Sequence, residues 1–236
     1  IYAPGQGAVV DRIEGVRSDN VRRVDGDFTG EGTPGAVVTR TRGDSVSVTV
    51  YAGLNTVLRH EFDQGGTYRQ AGTSVLSPAT AAGDVDGDGA DEVAIVEGSS
   101  KGGARVNLTD TSSGEVLDTV ELSQFETEDA RTTLGFYAQK IPDRTGDGNP
   151  ELGVVADIAG NNDLDVRYYI VDPKAGTVLL SGDGRVAEFI TAGENSVGVV
   201  APDGSTSVVD PTNGVTITET TAGTETDVSW AFDADG

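Results

Sequence analysis

Apolar and polar residues alternate in short runs along most of the chain. In SVSVTVYA at 45–52 and ARVNLTDT at 104–111 every second side chain falls on one face, the period of a half-buried strand. Small and turn-forming residues stand between such runs. YAGLNTVL at 51–58, DTSSGEVL at 110–117, DPKAGTVL at 172–179 and DPTNGVTI at 210–217 each read as a hairpin, because Asp-Pro, Asn-Gly and Gly suit tight strand connections. The 33 glycines, plentiful Val and Thr, and scarce Lys, Met and Gln fit many short strands. One segment, ETEDARTTLGF at 126–136, is assigned a single helical turn.

A repeat organises this alternation. DFTGEGTPGAVV from Asp27, DVDGDGADEVAIV from Asp84 and DRTGDGNPELGVV from Asp143 align without gaps, with starts 57 and 59 residues apart. Each has an oxygen-bearing side chain at positions 1, 3 and 5, Gly at 6, and an apolar strand from about position 10. A hairpin follows each loop, and the fourth hairpin, at 210–217, has no acidic loop before it. One unit is strand, acidic loop, strand, strand, hairpin, strand. Its length of nearly 60 residues suits a four-stranded blade with one long connection, so the predicted fold is an all-β propeller of antiparallel blades. Blades are expected at about 20–63, 80–122, 138–181 and 185–220 of a single domain, with polar connections near 64–79 and 123–137. GAVVDRIE at 7–14 matches GEVLDTVE at 114–121 and reads as the last strand of a blade; SWAFDADG at 229–236 reads as a first strand entering another acidic loop. These are partial strands of a split or truncated fifth blade. The favoured expectation is that the natural chain continues past Gly236; the other is that the first strand closes a split blade.

The acidic loops carry the candidate chemistry. Calcium takes six to eight oxygens in flexible geometry, and alternate side chains of a tightly turned loop supply them. In 84–92 the ligands would be Asp84, Asp86, Asp88, the Ala90 carbonyl and Glu92, with Gly89 permitting the turn. Position 12 is Ile95, inside a strand, which excludes an EF-hand. In 143–151 the set is Asp143, Thr145, Asp147, the Asn149 carbonyl and Glu151, one charge fewer. In 27–35 it is Asp27, Thr29, Glu31 and the Thr33 carbonyl, with Gly35 where the other loops have Glu and Asp25 a possible helper. Calcium is therefore expected at 84–92 and 143–151, with 27–35 as a poorer third site. The role expected of the ion is structural, since it would neutralise crowded carboxylates and tie one strand to the next.

Charge narrows the partners. The net charge is −23, with Asp outnumbering Glu and Arg outnumbering Lys. This disfavours nucleic acid and anionic membranes, both of which demand cationic surfaces. Acids such as Glu126, Glu128 and Asp129 lie far from the loops, so calcium explains only part of the excess. At about 1 M salt the screening length falls to roughly 3 Å and an acidic surface stops repelling itself. The Asp-rich, Lys-poor balance resembles that of proteins of halophilic archaea. There is no Cys, which excludes disulfide and thiol chemistry. No apolar run approaches the roughly 18 residues that span a bilayer, so membrane insertion is not expected. The 236 residues, 36% hydrophobic, suffice for a sizeable core.

No nucleophile elbow, phosphate loop or zinc-protease motif occurs. The single histidine, His60, is read as a surface or packing residue. Phe136, Tyr137, Tyr168, Tyr169, Trp230 and Phe232 are assigned to packing. Asn107-Leu108-Thr109 is the only N-glycosylation triplet, and it falls in a predicted strand. No catalytic residue is assigned.

The loops and the strands after them resemble the FG-GAP and VCBS repeats of integrin-α-like β-propellers, well over 20–181 and weakly over 185–220. Asp84-x-Asp86-x-Asp88-Gly89-x-x-Glu92 carries the likeness. It implies calcium between blade strands, an extracellular location, and adhesion or ligand binding to a surface protein or glycan. It does not imply an enzyme, although some polysaccharide lyases carry similar propellers. The fourth unit lacks the loop and the blades are fewer than the family's usual seven. Two other functions compete: a structural subunit of a filament, sheath or virion self-assembling through open blade edges, and a scaffold for a carbohydrate-active enzyme.

Overall fold

The computed structural model describes residues 2–3, 8–9, 21–22, 26–42, 45–53, 55–63, 78–99, 103–122, 133–159, 164–183, 186, 188–192, 196–201, 204–212 and 215–220. Among them there is no helix, and every regular element is a strand. A short ribbon comes first, β1 (Tyr2–Ala3) pairing with β2 (Ala8–Val9). Four antiparallel four-stranded sheets follow, each an up-and-down meander. The first holds β3 (Val21–Arg22), β4 (Gly35–Arg42), β5 (Ser45–Ala52) and β6 (Asn55–Asp63). The second holds β7 (Ala79–Gly83), β8 (Glu92–Ser99), β9 (Gly103–Thr109) and β10 (Val116–Glu121). The third holds β11 (Thr133–Ile141), β12 (Glu151–Ala159), β13 (Leu164–Asp172) and β14 (Thr177–Asp183). The fourth holds β15 (Glu188–Thr191), β16 (Val197–Val200), β17 (Thr206–Asp210) and β18 (Val215–Thr220).

The repeat read from the sequence thus corresponds to one sheet per unit. In every sheet the pairing of the third and fourth strands shifts register, at Val50/Tyr51, Val116/Asp118, Ile170/Val171 and Val208/Val209. Such bulges sharpen the local twist. The third sheet begins at Thr133 rather than near 138, and Thr133–Phe136 are strand rather than helical turn. There the pairing of β11 with β12 along its whole length outweighs the weak local helical pattern. Residues 126–132, Asp25, most of 7–14, and 229–236 lie outside the described residues.

Consecutive sheets pack face to face, because side chains alternate across a strand. From β8, Val93 and Ile95 join Phe28 of the 27–35 loop and Val37, Val46, Val48 and Val50 of the first sheet. The intervening Ala94 and Val96 turn the other way and join Leu152, Val154 and Tyr169 of the third. The third and fourth sheets meet through Tyr137, Val155 and Ile170 against Phe189, Val197 and Val199. A sheet buried on both faces needs apolar residues at successive positions, which is why 93–96 is an unbroken apolar run. Burial also falls across a sheet. All of β7 is buried, while β10 is exposed at every residue except Val120. The first strands lie toward their neighbours, with β7 against β11 and β11 against β15.

Some contacts leave no space for another atom. A Cβ at Gly153 would lie 2.4 Å from the Phe189 ring, so β12 and β15 approach only because position 153 is glycine. Beside them, Gln139 Nε2 donates to Phe189 O at 2.7 Å and Gln139 Oε1 accepts from Phe189 N at 3.0 Å, one side-chain amide standing in for a strand partner. Phe136, Tyr137 and Tyr169 are buried in the core, as read from the sequence. Asn107 is also buried and its Oδ1 accepts from Thr119 Oγ1 at 3.0 Å, which leaves its amide no access to a glycosylating enzyme in the folded chain.

Candidate metal centres

The three acidic loops join the first strand of a sheet to its second, and they are built alike. The carboxylate at position 1 organises each turn. Asp84 Oδ1 accepts from Gly87 N at 2.8 Å and Oδ2 from Gly89 N at 3.1 Å. Asp143 accepts from Gly146 N at 2.7 Å and Gly148 N at 2.8 Å. Gly87, Gly89, Gly146 and Gly148 have φ of 83°, 96°, 80° and 92°, so glycine is required at position 4 as well as position 6. Position 5 stabilises the exit: Asp88 Oδ1 accepts from Ala90 N and Asp147 Oδ1 from Asn149 N, both at 2.8 Å.

Among the described residues, Asp84, Asp86 and Asp88 form the one cluster of three acid or imidazole side chains whose ligand atoms all lie within 4.8 Å of one another. Glu92, the first residue of β8, lies outside that group, but the charges of all three aspartates act on its carboxyl. Its side chain is fully buried; Oε2 accepts from Val85 N at 2.5 Å, and Oε1 is buried with no hydrogen-bond partner. Burial, with the charges of Asp86, Asp84 and Asp88 adding to it, pushes the Glu92 carboxyl up to about 7 despite the Val85 bond. An orphaned buried carboxylate oxygen that feels three crowded aspartates fits a hard divalent cation, which would satisfy Oε1 and relieve the repulsion. Ala90 is the position-7 residue of the same turn.

The 143–151 loop places Asp143, Thr145, Asp147, Asn149 and Glu151 in the same order but differs at two points. Both oxygens of Glu151 are engaged, Oε2 by Arg144 N at 2.6 Å and Oε1 by Thr145 N at 3.0 Å, and burial raises its pKa. Lys174, from the β13–β14 hairpin, donates to Asp147 O at 3.0 Å and so brings a positive charge to the loop.

In 27–35 Asp27 again gathers the turn, accepting from Thr29 N at 3.3 Å, Glu31 N at 3.1 Å and Gly32 N. Burial raises the Asp27 pKa, but these bonds outweigh it and hold the carboxyl below its ordinary value. At position 9 there is no acid and no space for one. A Cβ on Gly35 would lie 2.0 Å from the ring of Phe28, which is buried. Thr29 and Glu31 are exposed and Thr33 is half-buried. The exchange of a Glu for a ring was half legible in the sequence: Gly35 was read as a missing ligand, but Phe28 was not read as its replacement.

The loops are also joined to one another, which the repeat alone did not reveal. Asp91 N, at position 8 of the second loop, donates to Asp27 O at 2.7 Å, and Asp91 Oδ2 accepts from Asp27 N at 3.0 Å. The third loop has Pro150 at position 8, which has no N–H. The Asn149 side chain supplies the missing donor: in the amide orientation that satisfies both its ends, Nδ2 donates to Asp84 O at 2.9 Å and Oδ1 accepts from Lys174 Nζ at 2.9 Å. Pro150 packs on Gly83, whose φ of 84° and 2.7 Å Cβ-to-ring distance keep it glycine. In both junctions the acceptor is the position-1 carbonyl of the preceding loop, so the three loops form one bonded row.

A second charged cluster spans the first two sheets. His60 Nε2 lies 2.6 Å from Glu97 Oε1, and Arg105 Nη2 donates to Glu97 Oε2 at 2.9 Å. Glu97 is buried, which raises its pKa, but the His60 and Arg105 bonds outweigh burial and hold it below its ordinary value. His60 is thus half-buried and paired across the sheet boundary, and the cluster holds no nucleophile.

No family model matches the chain, and no curated protein does. Solved structures are similar at low identity. The exotype rhamnogalacturonan lyase YesX aligns with 85% of this chain and 42% of its own, at 15% identity and a TM-score of 0.46. BamB from Moraxella catarrhalis aligns with 81% of this chain and 62% of its own, at 14% identity and a TM-score of 0.33. The protein lmo1340 from Listeria monocytogenes EGD-e aligns with 87% of this chain and 83% of its own, at 9% identity and a TM-score of 0.28. The chain spans less than two thirds of the length of the first two.

Proposed function

We propose that this chain is a β-propeller, stabilised by calcium at 84–92 and 143–151, that works outside the cell as a binding or adhesion module of a salt-adapted organism. The observation that carries the calcium reading is Glu92, whose buried carboxyl has one unpartnered oxygen and feels the charges of the clustered Asp84, Asp86 and Asp88. The propeller reading is supported by the order of the sheets. Each packs on the next in chain order, with β7 buried and β10 of the same sheet exposed at every residue but Val120. The exposed Asp86 and Asp88 of the 84–92 loop suit the weak, millimolar-range sites of extracellular modules. The net charge of −23 supports a high-salt setting and disfavours nucleic acid as the ligand.

The calcium is structural in this reading. It binds at the junctions where one sheet meets the next, and a surface protein or glycan is bound elsewhere. Light scattering in high salt with calcium, repeated after chelation, tests it. The expected result is a monomer that expands on chelation. A large assembly in calcium would replace this reading with a filament, sheath or virion subunit. Shortening of a polysaccharide incubated with the protein would replace it with a carbohydrate-active enzyme.

A further inference from the structure

We propose that Lys174 is a built-in counter-cation of the 143–151 loop, an autoinhibitory contact that keeps the loop closed without metal and competes with calcium for it. This rests on the calcium reading above and sets the two loops apart: 84–92 is left open to an ion, while 143–151 already carries a positive charge from its own chain. The turns themselves are built alike. Asp84 and Asp143 gather them through the same pair of glycine N–H groups, and those glycines share the same positive φ. The difference lies in what meets the negative charge.

Among the described residues, no ammonium or guanidinium bonds a carboxylate of 84–92. Glu92 Oε1 is buried there without a partner. The hairpin of the same sheet brings no charge either. Ser112 of DTSSG stands where DPKAG has Lys174, and it turns inward, its N–H and hydroxyl donating to Asp110 at 2.7 Å and 3.0 Å. At 143–151 both demands are met. Each oxygen of Glu151 accepts from a main-chain N–H. Lys174 Nζ donates to Asp147 O at 3.0 Å and, in the amide orientation given above, to Asn149 Oδ1 at 2.9 Å. The loop has three carboxylates, Asp143, Asp147 and Glu151, where 84–92 has four, Asp84, Asp86, Asp88 and Glu92, so one ammonium offsets a larger share of the charge.

A lysine suits this role. Its ammonium is a compact point charge with three donors on a flexible stem. It touches the loop at about the 3 Å screening length of 1 M salt, so high salt does not cancel it. Lys174 is exposed and can swing away when an ion takes the loop, with no main-chain movement.

The test uses the full chain with 84–92 silenced by Asp86→Ala and Asp88→Ala, so that calcium reports on 143–151. In that background Lys174 is replaced by Ser, the residue of the sister hairpin, and separately by Gln, which keeps a donor and removes the charge. Melting in chelator is expected to fall by about 1–3 °C in both variants, the size of one lost charged contact near the surface. Calorimetric titration with calcium chloride is expected to give about 5-fold tighter binding in both than with Lys174 in place, because one repelling charge is gone. Equal melting with and without Lys174 overturns the proposal, and so does equal calcium affinity. A change seen with Ser and not with Gln also overturns it, because a hydrogen bond and not the charge would then be acting. If no variant and not even the unmodified chain binds calcium, the calcium reading fails, and the chelator comparison, which uses no metal, decides this inference on its own.

Discussion

Glu92 and Glu97 lie five residues apart on β8, and opposite environments act on them. Glu92 is raised to about 7 by burial and by three aspartates, so near pH 6 it carries a proton in the metal-free protein. A cation needs the carboxylate, so binding expels that proton. Titrating calcium at pH 6 in two buffers of different ionisation heat is expected to reveal close to one proton released at the 84–92 site. Above pH 8 the release disappears, and in Glu92→Gln it is absent at every pH while affinity falls at least 10-fold. Glu97 behaves in the reverse sense. Its folded pKa is depressed below the ordinary 4.5, so its contribution to stability is present above that value and is lost as pH falls through the folded pKa. Glu97→Gln is expected to cost about 1–3 kcal/mol at pH 7. It is also expected to flatten denaturant-unfolding stability between pH 4.5 and pH 3, where the unmodified chain steadily weakens.

At the scale of the element, sheet contacts depend on residues too small to be noticed in a periodicity. Gly153 is the clearest, since the Phe189 ring fills the space its side chain would occupy. Gly153→Ala is expected to destabilise by about 1–3 kcal/mol through overpacking. In the double variant with Phe189→Ala the two costs should fall well short of their sum, because the ring that causes the clash is gone. Fully additive costs in urea unfolding would mean that the fourth sheet does not seat against β12 in this way. The strands themselves were legible beforehand. Alternation marked β5 and β9, turn chemistry marked the hairpins, and the loop register gave the repeat. What was not legible depends on tertiary contacts, within units and between them. β11 was begun too late because a polar, helix-compatible TTLGF hides a strand that only its pairing with β12 reveals. Phe28 replacing a Glu, Asn149 replacing a proline's missing N–H, and His60 reaching Glu97 all join residues 7 to 65 positions apart, and spacing along the chain carries no signal for them.

For the whole molecule, the proposed function requires that the row of bonded loops, when filled with cations, hold successive sheets together in an acidic chain. Salt and calcium should then act separately. Lowering the salt with calcium present is expected to reduce stability through repulsion across the surface, and full stability in dilute buffer would contradict the salt-adapted reading. The most direct test of the central claim is thermal unfolding followed by circular dichroism in high salt, with chelator and with calcium, for the unmodified chain and for Asp86→Ala with Asp88→Ala. At calcium about 100 times its dissociation constant, one site adds about 2.7 kcal/mol. For a chain of this size that raises the melting temperature by roughly 5–10 °C. The account predicts a calcium-dependent rise of at least that size in the unmodified chain, most of it lost in the double variant. A melting temperature that is the same with chelator and with calcium would contradict it, and would leave the acids of 84–92 as a salt-adapted turn.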